Sequence, residues 1–313
     1  MPIRVPDKLP AINALRQENI YVMPEQRANT QDIRPMQVAI LNLMPDKIAT
    51  EIQLVRLLSN SPLQIDIDLL RLEHQPKHTS EDHLDTFYRY FSDVKDKNYD
   101  GLIITGAPLG LKEYEDITYW PQLQELLDWA DKHVTSTLFL CWAAHAAIYH
   151  HYGVKHEIRE QKLSGVYKHK RWQKKAPVMR GFDDTFFVPH SRYGQIPIDN
   201  LEQIEDIICV SGSEEVGAYL MQNQSGTRVF ITGHPEYETL TLHDEYTRDQ
   251  NAGINPDVPV NYYPNNDSSI EPQKTWQAHG YLLFSNWLNY YVYQKTPYDL
   301  SKVSENIRTD NFA

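Results

Sequence analysis

The chain has 313 residues and is 41% hydrophobic, so it can bury a sizeable core in one large domain or two closely packed ones. Its 30 basic and 42 acidic side chains give a net charge of −12, which argues against nucleic acid or an anionic membrane as a partner. Two cysteines are too few for a disulfide framework, and neither a signal-peptide pattern nor a membrane-spanning apolar run is found. We therefore expect a cytoplasmic protein.

Composition divides the chain into three parts. Residues 1–34 are rich in proline and polar side chains, which predicts an N-terminal arm laid over a domain or a partner subunit. Residues 35–297 are predicted to form one domain, and residues 298–313 a polar C-terminal tail.

Apolar periodicity predicts alternating strands and helices in the first half of the domain. Strands are predicted over 38–44, 63–70, 100–106 and 137–140, and helices over 48–59, after the cap Ser80, and over 120–132. This alternation predicts a doubly wound α/β fold with a mostly parallel sheet. From about 154 to 228 the pattern changes to short strands, over 162–167, 186–193 and 207–211, which predicts a β-rich insertion. A strand over 229–232 and helices over 239–249 and 276–293 complete the domain.

Cys141 stands where the strand over 137–140 meets an alanine-rich helical stretch. Such a turn lifts a thiol clear of the sheet edge, and the N-terminus of the helix favours its thiolate. A buried structural cysteine is the alternative. The turn from Gly106 to Gly110 ends another strand at the same edge, where ligands collect, although a plain βα turn would also explain it.

His234 and Glu236 follow the predicted strand over 229–232, as Cys141 follows its own strand. If these two parallel strands are neighbours, their carboxyl ends bring the three side chains together. Thiol catalysis needs a base and a group that orients the base, so the sequence predicts Cys141, His234 and Glu236 as the catalytic residues. No spacing typical of a metal site is present, and we expect no metal and no cofactor.

Six strings together resemble the bacterial homoserine O-succinyltransferase family from end to end: 1–6, 41–45, 105–110, 135–143, 189–193 and 232–237. The family's fold is similar to the class I glutamine amidotransferases, which are flavodoxin-like. The resemblance implies transfer of a succinyl group from succinyl-CoA to L-homoserine, in methionine biosynthesis. Cys141 would carry the acyl group, His234 would be the base and Glu236 its orienting partner.

The resemblance also implies that Lys162, Ser191 and Arg248 contact substrate, and that Lys47 lies near the oxyanion. Backbone N–H groups near Trp142 would hold the oxyanion as well. Homoserine carries a carboxylate and an ammonium group, so an arginine suits the first and a carboxylate such as Glu245 the second. The partners would be these small molecules and, in a homodimer, a second copy of the chain.

Gly110 occupies the position that the family associates with acyl choice, where acetyl-using members have glutamate. It leaves volume and no negative charge, so we expect succinyl-CoA rather than acetyl-CoA as the donor. A glutaminase is a further alternative, but the amidotransferases usually flank their cysteine with glycines, whereas this chain has Leu140, Trp142 and Ala143. A non-catalytic binding protein on the same scaffold is the third interpretation.

Overall fold

The computed structural model describes residues 4–6, 8–17, 23–24, 34–75, 79–297 and 300–303. Its strands in chain order are β1 (Arg4–Val5), β2 (Met23–Pro24), β3 (Met36–Leu41), β4 (Ile65–Arg71), β5 (Tyr88–Tyr90), β6 (Tyr99–Ile104), β7 (Val134–Leu140), β8 (Glu157–Arg171), β9 (Thr185–Gln195), β10 (Ile207–Ser213), β11 (Gly217–Asn223) and β12 (Arg228–Ile231).

The α-helices are α1 (Ala11–Gln17), α2 (Lys47–Ser59), α3 (Glu81–Phe87), α4 (Trp120–His133), α5 (Trp142–Tyr152), α6 (Ile198–Glu202), α7 (Thr241–Asn251) and α8 (Gln277–Asn286). Side-chain caps begin α2 and α3, where Asp46 and Ser80 accept from Ala49 N and His83 N. The predicted helix over 276–293 is confirmed, with an α-helix over Gln277–Asn286 that continues as a π-helix over Trp287–Tyr293.

The described strands form one sheet in the order β2-β1-β4-β3-β6-β7-β12-β11-β10-β8-β9, with β5 beside β4. Strands β4, β3, β6, β7 and β12 run parallel, which confirms the predicted doubly wound α/β class. Alternate residues of β3 enter different cores: Val38 and Ile40 pack with α1, α2 and α8, whereas Ala39 and Leu41 pack with α4 and α5. Helices therefore cover both faces of the sheet.

Beyond β12 the sheet turns antiparallel through β11, β10, β8 and β9. The prediction of only short strands here is wrong, since β8 has 15 residues and β9 has 11. Exposed Lys168 and Lys170 alternate with the buried His169 along β8, and this polar face hid the strand from an apolar pattern. Strand β11 and helix α6 were not predicted.

The described part of the N-terminal arm belongs to the main core. Leu9, Ala11, Ile12 and Leu15 are buried in the same cluster as α2, and Arg4 pairs with Asp66 of β4. Of the predicted tail only residues 300–303 are described, and Val303 is buried. The rest of the arm and of the tail lies outside the described residues.

Candidate active site

Cys141 lies in the turn between β7 and α5, with φ 49° and ψ −112°. A non-glycine residue in this region of backbone space costs about 1–3 kcal/mol and persists where the surroundings impose it. The Cys141 N–H donates to Ile231 O over 2.6 Å, and Ala144 N donates back to Cys141 O over 3.0 Å. These two bonds fix the turn between the end of β12 and the first turn of α5.

His234 and Glu236 follow β12, the strand that pairs with β7 in register from Arg228–Thr137 to Ile231–Leu140. His234 Nδ1 lies 2.7 Å from Glu236 Oε1, and both side chains are buried. The His234 N–H donates to Pro189 O of β9 over 2.8 Å. Gly233 permits this close approach, because a Cβ there would lie 2.7 Å from Val188 Cγ1.

Cys141 and His234 face one another across Gly106, at the end of β6. A Cβ placed on Gly106 would lie 3.3 Å from Cys141 Cβ and 3.9 Å from His234 Cε1. Burial alone would lower the pKa of His234, but the Cys141 thiolate and the Glu236 carboxylate outweigh it and hold the pKa well above its usual value. The arrangement therefore favours the protonated imidazolium form of His234 beside the thiol.

Two main-chain segments lie beside Cys141, the first turn of α5 and the turn after β6. Trp142 N begins α5, so it has no acceptor within the helix and is free for an oxyanion. Gly106, which the sequence predictions did not assign a role, brings main chain to the same place. Its signal in the sequence was a glycine directly after an apolar strand.

Lys47 lies at the start of α2, behind the end of β3 and two strands from β7. Its Nζ donates to Asn42 O over 2.7 Å and to Met44 O over 3.0 Å, and burial lowers its pKa to about 8. Among the described residues Lys47 makes no hydrogen bond to Cys141, so its place at the oxyanion stays a prediction.

Most of the predicted substrate residues lie together around Glu245. Its carboxylate accepts hydrogen bonds from Lys162 Nζ over 3.3 Å, from the Ser191 hydroxyl, and from the Tyr237 hydroxyl over 2.7 Å. Burial opposes the charge, but Lys162 and these hydrogen bonds keep the pKa of Glu245 below its usual value. Glu245 is therefore ionised at neutral pH.

Tyr237 was not predicted, and it joins this cluster to the catalytic pair. Its ring stacks on the His234 ring with centroids 4.0 Å apart. Arg248 lies further out with an exposed side chain, and its guanidinium binds Asp249 over 2.7 Å. Lys162 and Asp249 also line a cleft of about 250 Å³ beside the cluster.

Gly110 follows β6 and approaches β9. A Cβ on Gly110 would lie 3.9 Å from Tyr193 Cβ and from Gly194 N, which is ordinary contact distance. Its carbonyl lies 3.3 Å from His156 Nε2, and His156 Nδ1 lies 2.7 Å from the Tyr114 hydroxyl. Gly110 thus leaves room for a side chain beside β9.

Within the described ranges, no group of three or more His, Cys, Asp or Glu side chains could hold a metal ion. Over the same part of the chain, no helix is long and apolar enough to cross a membrane.

Fold and site together define an α/β protein with a strained cysteine at a strand-to-helix turn and a buried His–Glu pair on the neighbouring strand. The model of the homoserine O-succinyltransferase family matches residues 2–298, and the chain belongs to this family.

Among its relatives is a homoserine O-succinyltransferase from Pseudoalteromonas translucida, 57% identical over the full length of both chains. Another, from Shewanella oneidensis, is 56% identical over 305 residues and 97% of each chain.

Solved structures with a similar fold include a glutamine amidotransferase from Thermotoga maritima. It has a TM-score of 0.53 and is 12% identical, over 82% of this chain and 98% of that one. A glutamine amido transferase from Methylobacillus flagellatus has a TM-score of 0.51 and is 12% identical, over 82% of this chain and 95% of that one. These likenesses confirm the predicted amidotransferase-like fold.

Proposed function

We propose that this protein transfers a succinyl group from succinyl-CoA to the hydroxyl of L-homoserine, giving O-succinyl-L-homoserine for methionine biosynthesis. One observation carries the proposal: in a chain of this family, the strained Cys141 faces a buried His234–Glu236 pair. No cofactor takes part, since succinyl-CoA is a co-substrate.

In the first half-reaction the Cys141 thiolate attacks the thioester carbon of succinyl-CoA. The carbonyl oxygen becomes an oxyanion, which the N–H groups of Trp142 and Gly106 stabilise, with the charge of Lys47 nearby. The carbon–sulfur bond to CoA then breaks, and CoA leaves as a thiolate that takes the proton of the His234 imidazolium. The product is a thioester on Cys141.

In the second half-reaction His234 takes the proton of the homoserine hydroxyl, whose oxygen attacks the acyl carbon. Glu236 holds the imidazole with Nε2 toward the reaction, because Nδ1 is bonded to its carboxylate. The carbon–sulfur bond to Cys141 breaks, and the protein returns to its thiolate–imidazolium state.

Glu245 and Arg248 supply opposite charges for the two charged groups of homoserine. In this proposal the homoserine ammonium takes the place of Lys162 at Glu245, and Arg248 turns from Asp249 to the carboxylate. Ser191 donates to the same carboxylate of Glu245 and so lies beside the bound substrate. Gly110 leaves space for the succinyl chain, which favours succinyl-CoA over acetyl-CoA.

Intact-protein mass spectrometry tests the acyl-enzyme. With succinyl-CoA and no homoserine, we expect one succinyl adduct on the wild type and on Cys209→Ala, and none on Cys141→Ala. Cys209 is a matched control, because burial raises the pKa of its thiol to about 11 and keeps it protonated. An adduct on Cys141→Ala, or none on the wild type, would contradict the covalent scheme.

The amidotransferase-like fold also allows glutamine hydrolysis by the same three residues. Leu140, Trp142 and Ala143 stand beside the cysteine, where the amidotransferases usually have glycines, so we expect no glutaminase activity. Ammonia release from glutamine by the wild type, absent in Cys141→Ala, would support this rival.

We further propose a cytoplasmic homodimer. Both cysteines are free, which suits a reducing compartment. Light scattering after size-exclusion chromatography measures the number of subunits, and a monomer would contradict the proposed dimer.

A further inference from the structure

Arg192 is a buried cation without a carboxylate partner among the described residues. Its side chain lies on β9 and is 6% exposed. The guanidinium donates to three neutral acceptors: Gly194 O, Val216 O over 2.6 Å, and His190 Nδ1 over 3.4 Å. A buried charge without a counter-charge destabilises the folded protein. We therefore expect an anion to lie beside Arg192 during the reaction.

His190 accepts a hydrogen bond from the guanidinium and is itself bonded to His169, and neither imidazole neutralises the positive charge. Because Arg192 Nε donates to His190 Nδ1, the His190 proton is on Nε2, which lies 3.1 Å from His169 Nε2. The remaining proton of His169 is on Nδ1 and points to Tyr167 O over 2.9 Å. Burial lowers the pKa of both histidines, so both imidazole rings are neutral.

The register of β9 places Arg192 between His234 and the first turn of α5. Residues 190, 192 and 194 share one face of the strand. His190 Cε1 would lie 3.1 Å from a Cβ on Gly233, next to His234, and a Cβ on Gly194 would lie 2.9 Å from His145 Nδ1. His145 N donates to Cys141 O over 3.4 Å, so Arg192 falls between the base and the first turn of α5.

Electrostatics agrees with this placement. Burial lowers the pKa of Arg192 to about 10, and the Cys141 thiolate is the strongest influence that opposes this shift. Cys141 is thus a source of negative charge for the buried guanidinium whenever its thiol is ionised.

We propose that Arg192 binds the distal carboxylate of the succinyl group while Cys141 carries that group. The inference rests on the proposed function and adds the residue that selects the acyl group. When the thiolate forms its bond to the acyl carbon, the negative charge of Cys141 is lost, and the departing CoA takes the proton of His234. A succinyl group brings its own carboxylate to the same place, whereas an acetyl group leaves Arg192 uncompensated. One N–H on each terminal nitrogen of Arg192 remains for a two-pronged bond to that carboxylate.

The test compares donors in steady-state kinetics with saturating homoserine. In Arg192→Met, we expect kcat/KM with succinyl-CoA to fall about 10- to 100-fold relative to acetyl-CoA, the effect of a lost charge-assisted hydrogen bond. Arg192→Lys keeps the cation but loses the two-pronged bond, so its donor ratio should fall between those of the wild type and Arg192→Met. Arg180→Met is the matched control, since Arg180 is exposed and binds the Tyr290 hydroxyl. An Arg192→Met protein with the wild-type donor ratio would overturn the inference.

A second measurement needs only the wild type, in case Arg192→Met does not fold. Succinamoyl-CoA replaces the distal carboxylate with an amide of the same shape, and we expect about 10- to 100-fold lower kcat/KM than with succinyl-CoA. Equal values would refute the role of Arg192. A wild type inactive with succinyl-CoA would overturn the proposed function and this inference together, whereas normal activity with an unchanged ratio in Arg192→Met overturns the inference alone.

Discussion

His234 is held on three sides and left open on the fourth. Its Nδ1 bonds Glu236, its backbone N–H bonds Pro189 O, and its ring stacks on Tyr237. Nε2 is buried and has no hydrogen-bond partner of ordinary geometry among the described residues. The surroundings thus select one tautomer and one orientation for the base.

Glu236→Gln removes the carboxylate that raises the pKa of His234. We expect kcat to fall about 10²- to 10⁴-fold, because the amide holds the imidazole less well and does not stabilise its charge. The His234 pKa should fall as well. The stability that the raised pKa contributes is fully present below about pH 6.5 and is lost as the pH rises through the folded-state pKa. In Glu236→Gln this contribution should be smaller and its loss complete at a lower pH.

NMR titration of the imidazole measures the His234 pKa, and urea unfolding at several pH values measures the stability. Glu238→Gln is the control, since Glu238 lies two residues away and pairs with Lys274 instead. An unchanged His234 pKa in Glu236→Gln would contradict the role of Glu236.

The sequence predicted Cys141, His234 and Glu236 because each follows an apolar strand, and the ends of neighbouring parallel strands meet. Arg192 and Tyr237 were beyond reach for a physical reason. Their positions depend on where β9 runs at the edge of the sheet and on how the turn after β12 folds back onto it. Neither feature produces a periodic pattern of apolar residues from which it could be predicted.

At the level of elements, β8 is tied to the loop over 251–267 through Gly165. Val166 N donates to Val260 O over 2.7 Å, and Val260 N donates to Ser164 O over 3.0 Å. Gly165 has φ 146°, and a Cβ there would lie 2.4 Å from Val260 O. Only glycine allows the two segments to approach this closely.

Gly165→Ala should therefore destabilise the protein by about 3 kcal/mol or more, since both backbone strain and a main-chain clash oppose it. Gly153→Ala is the matched control: Gly153 has φ 71° and nothing within 4 Å of a Cβ, so strain alone should cost about 1 kcal/mol. Urea unfolding compares the two. Equal losses of stability would contradict the constraint at Gly165.

Sequence periodicity predicted the buried parallel strands better than the antiparallel ones. Residues of β7 are buried on both faces and read as one apolar or β-prone run. The first six residues of β8 are exposed or half-buried instead, and near its end the exposed Lys168 and Lys170 flank the buried His169. The π-helical turns of Trp287–Tyr293 were also missed, because the apolar side chains there keep an almost helical spacing.

Across the whole molecule, the described N-terminal helix shares one core with the catalytic domain. Leu15 is fully buried in the cluster that contains residues of β3, α2 and α8. We therefore expect α1 to unfold together with this core and not before it.

Leu15→Ala should lower the free energy of unfolding by about 2–5 kcal/mol, as expected for a buried leucine. Asn13→Ala, on the exposed side of the same helix, should change it by no more than about 0.5 kcal/mol. Urea unfolding followed by both circular dichroism and tryptophan fluorescence measures these values. A separate early transition in Leu15→Ala would show that the arm folds independently of the domain.

The bond from His234 N to Pro189 O has a consequence for the behaviour of the protein at high concentration. Among the described strands β9 lies at one edge of the sheet, and the open edge of such a strand can recruit a strand from another molecule. Here Pro189 lies in that strand and has no N–H to donate, and its carbonyl already accepts a hydrogen bond from His234 N. The contact that orients the base thus also guards the edge of the sheet against aggregation.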